Sequence, residues 1–556
     1  MSYLQRITTR RPAQSAPIPG STQQPNSAGG YTWAIDDWTR LRRFLMLGSE
    51  GGSYYACERE LTLANAEAVA RCIMEDGARA VADIVRVSDE GRAPKNDPAL
   101  YALALAAGRG DQTTRRAALE ALPLVARTGT HLFRFAQFVE GFRGWGRSLR
   151  RGVGNWYASK PVDTLAYQAV KYRQREGVTH RDLLRLAHPA AAVGSGNPTL
   201  AVSAEHRRLF EWIVRGGDTG GLPRIVEGFA RAQAAESPAA AAELVREYRL
   251  PREALQSEHL TSAEVWEALL EEMPITALIR NLGTMTRVGL LRSGSAATRV
   301  VVERLGDAER IRRARVHPIA VLVAMRTYDG GRGIRGRGRW TPVRAIVDAL
   351  DTAFYAAFAN VEPAGTRLLL ALDVSGSMEC GAVAGIPGLT PRDAAAALTL
   401  VTAATEPSYE IVGFFAGRSG WNTGRRRNRW YAGEDGITPL RISPRQRLTD
   451  AVQQVSNLPF GATDCALPML YARAQELEVD AFVIYTDSET WWGDVHPVHA
   501  LHEYRRASGI DARLVVVGMV ANAFSIADPN DPRQLDVVGF DTQTPQLIAD
   551  FARGAL

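Results

Sequence analysis

The sequence predicts a multidomain protein of 556 residues, with an α-solenoid of HEAT-like helical repeats over residues 1–363 and a doubly wound α/β domain over residues 364–556. Two observations support this prediction. Between about residues 31 and 360, apolar residues recur at helical spacing in short segments joined by short linkers. After residue 363, continuous apolar runs alternate with helical segments, which is typical of parallel strands covered on both faces.

Local signals predict where several helices of the first part begin and end. Two capping boxes, Thr179 with Asp182 and Thr261 with Glu264, each open an amphipathic run that stops at a proline. The pair at 341–342 places proline at the first position of another helix. The short helices predicted in this part include 67–74, 98–107, 115–126, 163–175 and 262–272.

Many short helices in succession favour a solenoid of HEAT or armadillo type, which offers a long concave surface and can close into a ring. A compact irregular helical domain is the alternative, because the sequence has no clean repeat of fixed period.

Composition excludes several classes of protein. A chain that is 46% hydrophobic and 23% charged is not disordered throughout. The sequence contains no run of about 18 uncharged apolar residues that could cross a membrane, and its first residues lack the apolar segment of a secretory signal. Four scattered cysteines without a C-x-x-C pair argue against a zinc ribbon or disulfide framework. We therefore expect a cytoplasmic protein. We also expect a monomer that does not bind a membrane.

Oxygen-bearing residues at the ends of predicted strands predict a metal site. They lie at the end of the apolar run 368–373 and just after it, before the helical segment 465–476, and after the apolar run 481–485. Parallel sheets bring the carboxyl ends of their strands to one edge, where such domains bind ligands. Carboxylate and hydroxyl oxygens suit Mg²⁺ or Mn²⁺ and do not suit zinc. The candidate ligands are Asp373, Ser375, Ser377, Thr463 and Asp487.

This donor set resembles the metal-ion-dependent adhesion site of von Willebrand factor A-type domains. In that family the ion keeps one position open for a partner's carboxylate and catalyses nothing. Two alternatives remain at this point. Asp373 and the two serines after it could merely cap a helix. Asp373 could also be the nucleophile of a haloacid-dehalogenase-type phosphotransferase, but that chemistry needs a second acid two residues on, where this chain has Ser375.

A basic segment, residues 141–185, predicts RNA binding. It holds ten basic residues against three acidic ones, with aromatic residues between them. Cationic side chains neutralise phosphates and aromatic faces stack on unpaired bases. Only three of the 66 basic residues are lysine, so arginine abundance reflects a compositional bias and only clustering carries information. The candidate RNA contacts are Arg147, Arg150, Arg151, Lys171, Arg173, Arg175 and, just beyond the segment, His188.

Lys171 and Arg175 are four residues apart, so the predicted helix 163–175 places them on one face. The alternative is an exposed, solvated basic face with the tryptophans of the segment in the core. Two further arginine clusters, 332–339 and 425–429, lie in predicted loops, and the second is flanked by Trp421 and Trp430.

Several motifs together resemble the Ro ribonucleoprotein, or TROVE, family, and the resemblance covers nearly the whole chain. The motifs are Gly144-Trp-Gly-Arg147, Lys171-Tyr-Arg-Gln-Arg175, His180-Arg-Asp-Leu-Leu-Arg-Leu-Ala-His188, Thr276-Ala-Leu-Ile-Arg-Asn281, Val361-Glu-Pro-Ala-Gly365 and Gly461-Ala-Thr-Asp-Cys-Ala-Leu-Pro468. The segments around Gly30 and Trp38 also match. The Arg-rich insertion between Trp421 and Trp430 departs from the family pattern.

The resemblance implies a ring of HEAT-like repeats closed by a von Willebrand A-type domain. It implies that small non-coding Y RNA binds the outer surface of the ring, with contacts at Lys171, Arg175 and His188 by motif. It also implies that single-stranded 3′ ends of misfolded or damaged RNA enter the central hole, and that an exoribonuclease is a partner in RNA quality control after stress. The resemblance implies no enzymatic activity. The alternative function is a metal-dependent protein-adhesion module without an RNA function.

Overall fold

A computed structural model describes residues 12–50, 57–175, 177–189, 202–333, 338–358, 361–383, 386, 389–415, 436–443, 446–458, 461–541 and 543–556. These residues form two compact units. The helical unit is the described part of 66–357, and the α/β unit is the described part of 12–65 together with that of 358–556. The N-terminal segment thus groups with the α/β domain, whereas the sequence predicts it in the helical one.

Short helices account for nearly all regular structure of the helical unit. They are α2 (Glu58–Glu75, which begins just before the unit), α3 (Gly77–Asp89), α4 (Asp97–Arg109), α5 (Gln112–Val125), α6 (Gly129–Arg143), α7 (Arg147–Ala158), α8 (Val162–Lys171), α9 (His180–Ala187), α10 (Ala204–Arg215), α11 (Arg224–Gln233), α12 (Pro238–Tyr248), α13 (Ala263–Glu272), α14 (Ile275–Arg287), α15 (Ala296–Gly306), α16 (Ala308–Arg313), α17 (Pro318–Asp329) and α18 (Arg344–Ala356). A short antiparallel hairpin, β3 (Gln174–Arg175) and β4 (Val178–Thr179), lies between α8 and α9.

The capping box predicted at the start of α9 is confirmed. The Thr179 hydroxyl accepts a hydrogen bond from the Asp182 amide at 3.1 Å, and the Thr179 amide donates to the Asp182 carboxylate at 3.0 Å. The box predicted at Thr261 is wrong, because the Thr261 hydroxyl donates to the Glu258 carbonyl within a 3₁₀ turn and α13 begins after Ser262.

Two other boundary predictions are wrong. The helix expected at 341–342 begins at Arg344, with Val343 as its N-terminal cap. The helix expected over 163–175 ends at Lys171, and the chain then turns into the β3–β4 hairpin. Lys171 and Arg175 therefore do not share a helical face.

Helices of this unit pack against helices one to three places away along the chain. Helix α4 contacts α5 and α6, α5 contacts α7, and α7 contacts α9, while α12 contacts α13. A single amphipathic helix cannot bury its apolar face alone, so successive helices cover one another and build a continuous core. This neighbour-to-neighbour packing is the arrangement of a helical-repeat array.

One contact within the helical unit joins segments that are far apart in sequence. His317, which is buried, has its Nε2 atom 3.1 Å from the Arg92 carbonyl oxygen, across 225 residues. Next to it, the Arg315 guanidinium lies 3.2 Å from an Asp89 carboxylate oxygen. Early and late helices of the array therefore meet directly.

We expect the His317→Ala variant to loosen this long-range contact. It removes the bond to the Arg92 carbonyl and the acceptor for the Ile319 amide at the start of α17, a loss of about 1–2 kcal/mol. Hydrogen–deuterium exchange should then accelerate both around residues 88–92 and around residues 316–320. The matched control is His259→Ala, whose ring bonds the nearby Ala235 carbonyl. Equal exchange at residues 88–92 in both variants would contradict the expectation.

The α/β unit contains a six-stranded sheet, flanking helices and the N-terminal segment. Its elements are β1 (Gln24–Pro25), β2 (Tyr31–Ala34), α1 (Asp37–Leu47), β5 (Leu368–Asp373), α19 (Pro391–Thr405), β6 (Tyr409–Phe414), β7 (Ile437–Pro439), α20 (Leu448–Ser456), α21 (Leu467–Ala474), β8 (Ala481–Thr486), α22 (Pro497–Ser508), β9 (Arg513–Gly518), β10 (Phe524–Ser525), β11 (Gln534–Val538) and α23 (Thr544–Ala552).

The strand order across the described sheet is β11-β9-β8-β5-β6-β7. Every neighbouring pair is parallel except β6 with β7, which is antiparallel at one edge. All residues of β5 and β8 are buried, because helices cover both faces of the sheet. Leu369 and Phe482 pack with α21 and α22 on one face, while the Tyr485 hydroxyl lies 3.3 Å from that of Thr402 of α19 on the other. The predicted doubly wound fold is confirmed.

The N-terminal segment adds a second, smaller sheet to this unit. Strand β2 pairs antiparallel with β1 on one side and with β10 on the other. Among the described residues, no helix is long and apolar enough to cross a membrane.

Candidate functional site

The first loop of the predicted metal site begins where β5 ends. Asp373 is fully buried, and its carboxylate accepts hydrogen bonds from the Ser375 amide at 2.9 Å and from the Thr486 hydroxyl at 2.6 Å. The chain then turns through a 3₁₀ segment, Gly376–Glu379, which brings the hydroxyl oxygens of Ser375 and Ser377 within 3.1 Å of each other. One carboxylate and two hydroxyls thus converge in a single turn.

The second and third loops lie against the first. Asp487 follows β8, the direct neighbour of β5, and its carboxylate accepts a hydrogen bond from Ser377. Gly376 donates its amide to the Gly461 carbonyl at 3.2 Å, which brings the loop that carries Thr463 alongside. Thr463 is 1% exposed and Asp487 is 4% exposed. The structure therefore brings four predicted ligands into one buried cluster and places Thr463 in the adjoining loop.

Burial and mutual repulsion make ionisation of the carboxylates in this cluster unfavourable. Burial raises the pKa of Asp487, and the nearby Asp373 and Glu489 carboxylates raise it further. Burial also raises the pKa of Asp373, although hydrogen bonds from Ser375 and Thr486 act in the opposite direction. Two carboxylates held together away from water repel each other unless a proton or metal ion compensates them.

The chemistry of the donors fits a hard divalent ion. Within the described residues, no three His, Cys, Asp or Glu side chains converge on a possible metal position. A site here would therefore depend on three hydroxyls beside two carboxylates, all of them oxygen donors, and that set suits Mg²⁺ or Mn²⁺. The alternative interpretation of Asp373, Ser375 and Ser377 as a helix cap is wrong, since Ser375 precedes only a 3₁₀ turn that contains Ser377, and no side chain caps that turn.

A buried arginine, Arg392, supports the first loop and was not predicted from the sequence. Its side chain is 1% exposed, donates to the Val374 carbonyl and the Ser375 carbonyl, and pairs with Glu379 at 2.5 Å. Its positive charge also lies near enough to Asp373 to favour the ionised carboxylate. The sequence signal was an arginine directly after the predicted helix start at Pro391, inside an otherwise apolar helix.

The predicted basic surface occupies α7, α8, α9 and the hairpin between α8 and α9. Arg147, Arg150 and Arg151 are exposed on α7, whereas Trp156 and Tyr157 of the same helix are fully buried. Those two aromatic side chains belong to the core and cannot stack on bases. Trp145, Tyr167 and Tyr172 remain half-buried at the surface.

Lys171 lies at the end of α8 between two tyrosines. Its ammonium group donates to the Tyr167 hydroxyl at 3.0 Å and is 5.2 and 5.6 Å from the ring centres of Tyr167 and Tyr172. Hydrogen bonding to Tyr167 raises the Lys171 pKa against the opposing effect of burial, so the side chain stays charged. It therefore presents a fixed positive charge beside two aromatic rings.

The remaining predicted RNA contacts lie on either side of the hairpin. Arg173 is exposed, with its guanidinium 4.7 Å from the ring centre of Phe229. His188 is exposed and ends α9 in the left-handed conformation. The backbone of Arg175 pairs with Val178, but its side chain lies outside the described residues, as do Arg335, Arg337 and the arginines of 425–429.

Comparisons with known proteins cover almost the whole chain. Residues 367–552 match the family model of the Ro60 vWA domain, and residues 24–214 and 245–330 match that of the TROVE domain. The chain is 44% identical over 534 residues to the RNA-binding protein RO60 of Deinococcus radiodurans, with 96% of each chain covered. It is 34% identical over 605 residues to the RNA-binding protein RO60 of Caenorhabditis elegans, with 96% of this chain and 90% of that protein covered. The crystal structure of the Deinococcus radiodurans RO (RSR) protein matches with a TM-score of 0.68 and 44% identity, covering 94% of this chain and 100% of that one.

We expect the Arg392→Met variant to lower the free energy of unfolding of the α/β unit by about 2–3 kcal/mol. It leaves two buried carbonyls of the first loop without their charged donor. Urea denaturation followed by tryptophan fluorescence measures the change. The matched control is Arg533→Met, which removes an exposed pair with Asp511 and should cost less than about 1 kcal/mol. Equal losses in the two variants would show that Arg392 contributes no more than a surface pair.

Proposed function

This chain belongs to the Ro60 family of RNA-binding proteins, which are not enzymes, and we propose that it serves as a scaffold or chaperone for small structured RNA. The observation that carries the proposal is the exposed basic surface on α7–α9, in a chain aligned along nearly its full length with RNA-binding relatives. Phosphate neutralisation by such a surface supplies affinity without reading base sequence.

We assign Y RNA to this surface. Arg147, Arg150 and Arg151 project from one helix, and Lys171 and Arg173 flank the start of the hairpin. We include Arg175 and His188 among the proposed RNA contacts because they lie in motifs that resemble those of the family. Half-buried Tyr167 and Tyr172 beside Lys171 offer faces for an unpaired base next to a charged contact.

A second RNA position belongs to the same proposal. A closed array of helices has a central opening, and the contact of His317 with Arg92 supports closure within the helical unit. We place the single-stranded 3′ end of misfolded or damaged RNA in that opening. We further assign this chain the delivery of such RNA to an exoribonuclease during stress, because the family is not enzymatic and cleavage would need a separate nuclease.

We further propose that Asp373, Ser375, Ser377, Thr463 and Asp487 hold Mg²⁺ or Mn²⁺. The buried carboxylate pair and the hydroxyl-rich donor set support this assignment. An ion bound there would offer an open position to a carboxylate of a partner protein. The serine at 375 leaves the phosphotransferase alternative without its second acid.

We expect the double variant Lys171→Ala, Arg175→Ala to weaken Y RNA binding by more than about 1 kcal/mol. The slope of log affinity against log salt concentration should become shallower by about two, because two phosphate contacts are lost. Gel-shift titrations at several salt concentrations measure both quantities. The matched control is Arg299→Ala, Arg313→Ala, which removes two exposed arginines from α15 and α16. Unchanged affinity in the first pair would end the assignment of this surface, and absence of any RNA binding would favour the adhesion-module alternative.

We expect Asp373→Ala to abolish saturable binding of Mg²⁺ or Mn²⁺ in titration calorimetry, because it removes one of two carboxylate ligands. RNA affinity should not change, since the basic surface belongs to the other unit. Asp511→Ala, which removes an exposed carboxylate of the α/β unit, is the matched control. Equal metal affinity in Asp373→Ala and the unaltered protein would reject the metal site.

A further inference from the structure

A buried glutamine from the N-terminal segment bridges two loops next to the proposed metal site. Gln14 is fully buried, and its amide nitrogen donates to the Asp464 carboxylate at 2.7 Å and to the Val495 carbonyl at 2.7 Å. Its amide oxygen accepts a hydrogen bond from the Thr490 hydroxyl. Asp464 directly follows the predicted ligand Thr463, and Thr490 lies three residues beyond the predicted ligand Asp487.

The same two loops are joined to each other at Thr463 itself. The Thr463 carbonyl accepts hydrogen bonds from the amides of Trp491 and Trp492 at 3.2 and 3.1 Å. The Thr490 hydroxyl accepts a hydrogen bond from the Cys465 amide at 3.1 Å. The same hydroxyl donates to the amide oxygen of Gln14. The position of Thr463 therefore depends on the 490–492 turn, and that turn is held by Gln14.

Close packing leaves no space between the N-terminal segment and this turn. A Cβ atom added at Gly493, where φ is +138°, would lie 2.8 Å from the Gln14 amide nitrogen and 2.7 Å from the Asp464 carboxylate. A Cβ atom at Gly30 would lie 2.0 Å from the Thr490 carbonyl oxygen. Asn26 donates to that same carbonyl at 2.7 Å. These approaches are possible only with glycine at both positions.

The Asp487 loop is held by the N-terminal segment as well. The Ser27 amide donates to the Glu489 carboxylate at 2.8 Å. Asn522 donates to the Asp487 carbonyl at 2.6 Å and accepts from the fully buried Arg43 of α1 at 2.8 Å. Two separate parts of the N-terminal segment thus reach both loops that carry the later ligands.

We propose that the N-terminal segment is a positioning part of the metal site. Gln14 and Thr490 hold Thr463 in place for the ion, and Ser27 holds the Asp487 loop through Glu489. None of the contacting side chains of the segment is itself a ligand. This inference rests on the proposed metal site and adds N-terminal residues, Gln14 among them, that lie outside the α/β domain predicted from the sequence. Outer residues that orient ligands change metal affinity by about tenfold or more when they are replaced.

Binding of Mn²⁺ to the full chain tests the proposal, measured by water-proton relaxation and by the electron paramagnetic resonance spectrum of the bound ion. Gln14→Leu keeps the size of the side chain and removes its hydrogen bonds, and Thr490→Val does the same for the hydroxyl. Both variants should weaken Mn²⁺ binding about tenfold and alter the spectrum. Thr490→Ser keeps the hydroxyl and should retain the affinity of the unaltered protein.

Gln24→Leu, at an exposed position of β1, is the matched control and should bind Mn²⁺ normally. If Gln14→Leu does not fold, the comparison of Thr490→Val with Thr490→Ser decides. The proposal is overturned if Thr490→Val and any folded Gln14→Leu bind Mn²⁺ like the unaltered protein while Asp373→Ala does not bind it. If Asp373→Ala binds Mn²⁺ normally, the metal site itself fails and this proposal fails with it.

Discussion

The parallel pairing of β5 with β8 is the constraint around which the α/β unit is arranged. Because these strands are neighbours and run in the same direction, the carboxylate that ends β5 and the one directly after β8 lie at one edge of the sheet. Asp373 and Asp487 are therefore buried together, and each makes ionisation of the other more costly. Serine hydroxyls and the positive charge of Arg392 offset part of this cost, and we propose that a divalent cation offsets the rest.

The helical unit follows a different requirement. Each short helix buries one face against helices close to it in the chain, so the core is built from apolar and aromatic side chains such as Trp156 and Tyr157. The opposite face of α7 carries Arg147, Arg150 and Arg151 into solvent. A surface of this kind attracts polyanions at long range, and its affinity depends on salt more than on base sequence.

Both units together suggest a division of labour between nucleic acid and protein partners. Under the functions that we propose, the basic helices supply charge for RNA, and the strand-end cluster supplies a cation site that accepts an acidic group of a partner protein. The N-terminal segment packs against the loops around this cluster, since Gln14 contacts Asp464 and Arg43 contacts Asn522, each more than 440 residues away. The family model of the TROVE domain begins at residue 24, whereas in the structure the described residues up to 65 group with the α/β unit.

By itself, the sequence determined the fold class, the alternating strands and helices of the second domain, and the family. The apolar runs were long and continuous, and the D-x-S-x-S turn at Asp373 stood where a strand must end, so local pattern was sufficient. The α9 capping box was equally readable, because Thr179 and Asp182 form it with their own backbone.

Only the tertiary structure decided which residues support those sites. Helix α8 ends at Lys171 because the following residues pair in the β3–β4 hairpin instead of continuing the helix. The spacing of apolar residues does not show which of the two structures forms. In the sequence, Arg392 is one arginine among many. The structure shows that it is buried and donates to a carbonyl of the first loop. Gln14 lies in a polar stretch without periodicity, and its role exists only through contacts 450 or more residues away, which no local pattern encodes.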